Sequence, residues 1–355
     1  MGMIKDDTVR NATTYYWGER VFARPQSTLF AALLLWQLPD PCALPVFVLE
    51  SSIWYLCDVA NLPVCLFLIH RARIDYVWVS DRVPHVFTGE HRRTSTIDWC
   101  EENYAISNYI AEFWNTLTNV AMITLAVLGI YSSIRHRHGK RVTAMYVGLL
   151  LVGVGSACFH ATLKYTTQLL DELPMLYLCA LCFYSLVEID VDIKFGKRLP
   201  ILLGLFQTGI TLIYVFWVQN PAFHQVAFGG TAVGAIVFGT KRFSELNIGS
   251  ETRRTLSRLH LMGHLGMWGG FLVWNVDNIF CHQLRTYRSY VGMPLDGLLQ
   301  LHGWWHILTA YGSVYLLLWA HLLKLARLGH DTMFSIQYFM GIFPHVALNN
   351  PKKVD

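Results

Sequence analysis

From Asp98 onward, apolar residues come in runs of about twenty, each closed by a short polar turn. The runs fall at approximately 109–131, 143–163, 167–189, 199–218, 222–240, 259–280 and 299–325. At 1.5 Å per residue each can cross ~30 Å of hydrocarbon as a helix. The pattern predicts an all-α polytopic membrane protein, a bundle of seven transmembrane helices. Its domain occupies residues 93–330, and a tail follows over 331–355. Small residues inside the runs (Gly153, Gly155, Gly229, Gly230, Gly269, Gly270) suit close helix packing in lipid.

Residues 1–92 do not share this pattern. Leu29–Trp36 and Val46–Ile69 are apolar, but Pro39, Asp40, Pro41, Pro45, Glu50, Asp58 and Pro63 interrupt the region. At most one membrane-associated segment, near 44–70, is expected here. The first thirty residues lack the basic start and compact apolar core of a signal peptide.

Composition agrees with a membrane protein. The chain is 54% hydrophobic and only 15% charged, against about 25% charged in soluble domains. A net charge of +4 gives no reason to expect a nucleic-acid partner, and no protein partner is inferable. The basic residues are unevenly placed. The first, third and fifth inter-span loops hold twelve: Arg135, Arg137, Lys140, Arg141, Lys194, Lys197, Arg198, Lys241, Arg242, Arg253, Arg254 and Arg258. The even loops hold three, Lys164, Arg285 and Arg288. By the positive-inside rule the odd loops and the C-terminus are cytosolic, and the segment before the first span is lumenal.

Ionisable residues at membrane depth are functional candidates. Ser156 and His160 share a helix face near the end of the second span, and Asp171 and Glu172 open the third. The seventh span begins LQLHGWWH, with His302 and His306 one turn apart, a spacing at which two imidazoles can hold one metal ion. A second pair, His260 and His264, has the same spacing but lies at the cytosolic entry of the sixth span. His160, His302 and His306 all fall toward the lumenal side, so these three are the expected ligands of a Zn²⁺ ion. Three neutral imidazoles would leave such an ion able to acidify a bound water toward a pKa of ~7. Asp171 is placed to act as general base, and Ser156 to donate a hydrogen bond to a developing oxyanion. Metal-assisted hydrolysis inside a membrane is the reading.

Asp98, Glu101, Glu102 and Asn103 cluster before the first span, and Glu112 lies at its start. Such hard oxygen donors suit Ca²⁺, although the spacing is not that of an EF-hand; a solvated helix start is the alternative. Cys100 and Cys281 are both expected on the lumenal side, where disulfides persist, and are expected to pair. Cys179 and Cys182, three apart in an apolar helix, read as small buried hydrophobes.

With these residues laid out, the chain resembles the alkaline ceramidases, seven-span zinc amidases. The resemblance rests on TSTIDWCEENY (94–104), YIAEFWNTLTN (109–119), SACFHATLKYTTQLLDELPM (156–175), WNVDNIFC (274–281) and HGWWHILTAYGS (302–313). It implies zinc on His160, His302 and His306, with Ser156 and Asp171 catalytic. It also implies Ca²⁺ on Asp98, the Trp99 carbonyl, Glu101, Asn103 and Glu112. The implied reaction is hydrolysis of ceramide to a sphingoid base and a fatty acid in the endoplasmic reticulum or Golgi, with substrate entering from the lipid bilayer. Adiponectin-type receptors and a GPI-remodelling family share the S-x-x-x-H, Asp and H-x-x-x-H elements, so a receptor-like protein with structural zinc and another lipid hydrolase are the alternatives. The chain departs from the family at the front. Tyr15-Tyr16-Trp17-Gly18-Glu19 resembles the sequence that the family joins almost directly to Thr94, which marks 20–92 as an insertion, consistent with unspliced intron sequence.

Overall fold

The computed structural model describes residues 93–189 and 195–349. The apolar segment expected near 44–70 and the Tyr15–Glu19 motif lie outside them. Among the described residues there are eight α-helices. They are α1 (Phe113–Arg135), α2 (Lys140–Thr162), α3 (Tyr165–Val187), α4 (Arg198–Ile213, extended by a π-turn through Tyr214–Val218), α5 (Pro221–Ser244), α6 (Ser250–Ile279), α7 (Cys281–Val291) and α8 (Leu301–Arg327). Two antiparallel strands follow, β1 (Phe334–Phe339) and β2 (Phe343–Leu348).

Among the described residues six helices are long and apolar enough to cross a membrane: α1 to α5 and α8. The sequence predicts seven. The difference is α6, which is 30 residues long but has charged first turns, and whose uncharged stretch 259–276 holds His260, His264, Asn275 and four glycines. Its apolar portion is diluted below span composition, although it packs along α8 as a neighbour. The other predicted runs meet their helices within a few residues.

Helix α2 is the axis of the bundle. Its apolar window is 78% buried, against 17% for α5, so α2 is surrounded by protein and α5 presents most of its surface outward. Outward-facing Leu202, Leu205, Val226, Val237, Leu265 and Leu272 fit a lipid-exposed belt. Helices α1 and α3 flank α2, while α8 lies against α1 and α6.

Two close approaches fix the site-bearing helices. A Cβ on Gly155 would fall on the Leu170 carbonyl, so α2 and α3 touch backbone to backbone there. Pro174, inside α3, lacks the N–H that would otherwise bond this carbonyl. Gly266 of α6 similarly meets Gly312 of α8, whose Cα would be 2.6 Å from an added Cβ.

Residues 331–349, expected as a tail, hold the hairpin. Phe334 pairs with Leu348 and Phe339 with Phe343 across a turn in which Met340 and Gly341 both take positive φ. Strand β2 packs on α1 and α8 and buries Val346.

Candidate metal centre and active site

The last turn of α2 and the first two turns of α8 bring three imidazoles together. Ring centroids are 5.0 Å apart for His160–His302, 4.9 Å for His160–His306 and 4.8 Å for His302–His306. One nitrogen from each lies within 4.8 Å of the others, and all three side chains are buried. Among the described residues this is the one group of three or more His, Cys, Asp or Glu side chains so arranged that it could hold an ion.

The donor set fits a metal. His160 Nδ1 is bonded to the Glu112 carboxylate, and its Nε2 is buried with no hydrogen-bond partner. His302 Nδ1 is likewise buried and unpartnered. The Thr118 hydroxyl, which donates to the carbonyls of Trp114 (2.9 Å) and Asn115 (3.2 Å), lies 3.0 Å from His306 Nδ1, and Asn119 Nδ2 lies 3.4 Å from the same nitrogen. Both contacts engage Nδ1 and orient the ring. Orphaned imidazole nitrogens backed by outer hydrogen bonds are the usual arrangement around zinc.

Each supporting partner has a structural cause. The segment before α1 runs alongside the end of α2, with Ala111 N–H donating to Ala161 O (3.0 Å) and Glu112 N–H to His160 O (2.9 Å). This delivers the Glu112 carboxylate to His160. The Trp99 ring lies over His302 at 4.3 Å. Asp277 of α6 accepts from the backbone N–H groups of Leu301 and His302, so a carboxylate anchors the start of α8.

The Gly155 contact places neighbouring Ser156 within hydrogen-bonding reach of Asp171. Glu172 turns elsewhere: it accepts from Tyr214 Oη at 2.5 Å and Gln168 Nε2 at 3.2 Å, in a buried network that reaches Thr96. His260 and His264 are not part of the centre. His260 lies against Trp319, thirteen residues beyond His306 on α8, or ~20 Å along the axis. His264 Nδ1 bonds back to the His260 carbonyl at 2.8 Å.

The acidic segment is gathered, but its oxygens are engaged. Glu101 accepts from the N–H groups of Trp114 (2.7 Å) and Asn115 (2.8 Å) and so caps α1. Burial pushes its carboxyl up to about 7, against the two backbone donors that favour the charged form. Asp98 pairs with Arg93 at 2.9 Å and accepts from Asn103 Nδ2 at 3.0 Å. Glu112 also accepts from Trp99 N–H (3.3 Å) and Asn115 Nδ2 (3.1 Å). The Trp99 carbonyl accepts from Arg285 at 3.4 Å. Cys100 and Cys281 form a disulfide with Cα atoms 5.3 Å apart. Arg288 adds a hydrogen bond to the Cys100 carbonyl and another to Gln300.

A family model described as Ceramidase matches residues 91–347. The chain belongs to the ceramidase family. Alkaline ceramidase 3 of Mus musculus is 39% identical over 261 residues, covering 73% of this chain and 94% of its own length. Alkaline ceramidase YPC1 of Saccharomyces cerevisiae is 35% identical over 273 residues, covering 73% and 86%. An alkaline ceramidase of Arabidopsis thaliana is 27% identical over 261 residues, covering 73% and 94%. As a ceramidase, the chain is a hydrolase that acts on the amide bond of ceramide. The histidine cluster and the acidic segment both lie inside the matched region.

Proposed function

We propose that this ceramidase hydrolyses its substrate within the bilayer as a zinc amidase, releasing a sphingoid base and a free fatty acid. The observation that carries the reading is the buried meeting of His160, His302 and His306, with two imidazole nitrogens left unpartnered. Zinc held there would supply Lewis acidity toward the amide carbonyl and toward water.

The remaining work falls to the chain itself. Asp171 takes a proton from the attacking water and returns it to the nitrogen of the departing base as the C–N bond breaks. The Ser156 hydroxyl, held near Asp171, turns toward the carbonyl oxygen as negative charge develops on it. Glu112 and Thr118 fix the orientations of His160 and His306. The outward apolar surfaces of α4 and α5 let a two-tailed lipid approach sideways from the membrane.

Topology completes the proposal. Helix α6 is taken as a seventh span, stabilised by its packing on α8. The odd loops and the C-terminus are cytosolic, and the metal centre lies toward the lumen of the endoplasmic reticulum or Golgi. Residues 20–92 are proposed to be an insertion, in keeping with a family match that begins at residue 91. Mature transcripts that read through this region without interruption would sink the intron origin.

Calcium is proposed at the junction of the acidic segment and α1, on Asp98, the Trp99 carbonyl, Glu101, Asn103 and Glu112. The arrangement described above does not itself form that site. Glu112 keeps Oε2 on His160 and would offer calcium Oε1, which accepts from Trp99 N–H, while Arg93 and Arg285 occupy two other oxygens of the site. Binding therefore requires exchange of those bonds. Calcium should raise the melting temperature of the purified protein, and Asp98→Ala should remove the rise. An unchanged melting temperature counts against it.

The whole reading is tested by assaying purified protein on a panel of ceramides with and without a zinc chelator. Hydrolysis that chelation stops and zinc restores is expected. Full hydrolysis in metal-free protein contradicts it.

A further inference from the structure

At the end of the bundle remote from His160, four more histidines lie ring to ring. His138, in the turn between α1 and α2, meets His321 of α8 with centroids 4.4 Å apart. His136 lies 5.8 Å from His138, and His345 of β2 lies 5.9 Å from His136. Helix α2 separates His138 from His160 by ~30 Å, so this cluster cannot share an ion with the first.

The hydrogen bonds define which nitrogens are open. His138 Nε2 is 2.8 Å from the Val346 carbonyl. A carbonyl only accepts, so Nε2 carries the proton and Nδ1 of the neutral ring is a bare lone pair. That Nδ1 is buried and has no hydrogen-bond partner. The same is true of His321 Nε2. The two side chains belong to residues only 6% and 3% exposed. The separation of the two rings is close to the 4.8–5.0 Å found within the first cluster.

We propose that His138 and His321 form a second metal site, for a divalent transition-metal ion of the zinc type, with His136 the nearest further imidazole. The donors are neutral nitrogens with no carboxylate among them, which selects zinc, copper or nickel over magnesium or calcium. Lys324 and Arg141 lie close enough to act electrostatically on this region. Their charge weakens cation binding, so this ion should leave before the one at His160. Because His138 also holds the Val346 carbonyl, an occupied site would fasten the C-terminal hairpin to α8 and to the α1–α2 turn.

The test counts zinc. The full chain is purified in detergent, dialysed against micromolar zinc, washed, and measured by plasma mass spectrometry. Two zinc ions per chain are expected, one of them lost first to a mild chelator. His138→Ala and His321→Ala should each retain one ion and retain ceramide hydrolysis. His302→Ala should also retain one ion but lose hydrolysis, so failure at either centre is read separately. A wild-type count of one overturns the second site, and that count decides even where an alanine variant fails to fold. A count of two that persists in both His138→Ala and His321→Ala means an adventitious surface ion only, and overturns it as well.

Discussion

Glu112 holds His160 twice. Its backbone N–H donates to the His160 carbonyl at 2.9 Å, and its carboxylate meets Nδ1 of the same residue. The ring is therefore fixed in position and tautomer, with Nε2 directed to the other two imidazoles. Carboxylates of this kind raise the basicity of a ligating histidine and hold its orientation.

Glu112→Ala should consequently weaken zinc binding by about 10–100-fold, read by competition with a chromogenic chelator. Glu112→Gln, which keeps a hydrogen-bonding oxygen, should lose less. Zinc affinity equal to wild type in both variants would remove Glu112 from the centre.

Gly155→Ala should impair hydrolysis while leaving zinc content unchanged. The added methyl meets the Leu170 carbonyl, so α2 and α3 must separate, moving Ser156 away from Asp171. Overpacking of this type costs about 1–3 kcal/mol of stability. Wild-type turnover in a folded Gly155→Ala protein would show that the close approach does not set the catalytic geometry.

The disulfide is expected to matter for stability, because it closes a loop across 181 positions and ties the segment before α1 to the start of α7. Cys281→Ser should cost about 2–5 kcal/mol, seen as a lower melting temperature under non-reducing conditions. A peptide map that finds both thiols free contradicts the pairing.

Glu101 gives a pH signature when calcium is chelated. Its carboxyl is raised by burial from 4.5 to about 7. Between those values the folded state holds a proton that the unfolded state has lost, so stability falls as pH rises from 4.5 to 7 and then levels off. The span corresponds to about 3 kcal/mol. Glu101→Gln should flatten this slope while retaining an acceptor for the α1 N–H groups. An unchanged slope assigns the effect to another group.

The parts of the site that were legible in the sequence were those written on single helices. His302 and His306 are one turn apart, and basic-loop asymmetry places them at the same depth as His160 and away from His260. Cys100 and Cys281 were similarly paired by side of the membrane. Glu112 reads as a calcium ligand from its acidic neighbours; that its carboxylate also meets His160 is not legible, since nothing local reveals that residues 111 and 112 run alongside the end of α2. Asp277 had no assignable role because its partners, the N–H groups of Leu301 and His302, belong to another helix. Glu172 points to Tyr214 rather than into the site, a direction set by helix rotation. The hairpin at 334–348 reads as tail in the sequence, because its strands are only six residues each and follow a long helix. Helix α6 reads as a span by the length of its apolar run, whereas His260, His264, Asn275 and four glycines within 259–276 hold that run below span composition.

One zinc ion on His160, His302 and His306 is proposed to support ceramide hydrolysis. The direct measurement determines zinc content and fatty acid released from ceramide on the same purified samples of wild type, His302→Ala and His264→Ala. His302→Ala should lose zinc at this centre and hydrolysis together, while His264→Ala should keep both near wild type. Hydrolysis that survives in His302→Ala, or is lost in His264→Ala with zinc, contradicts it.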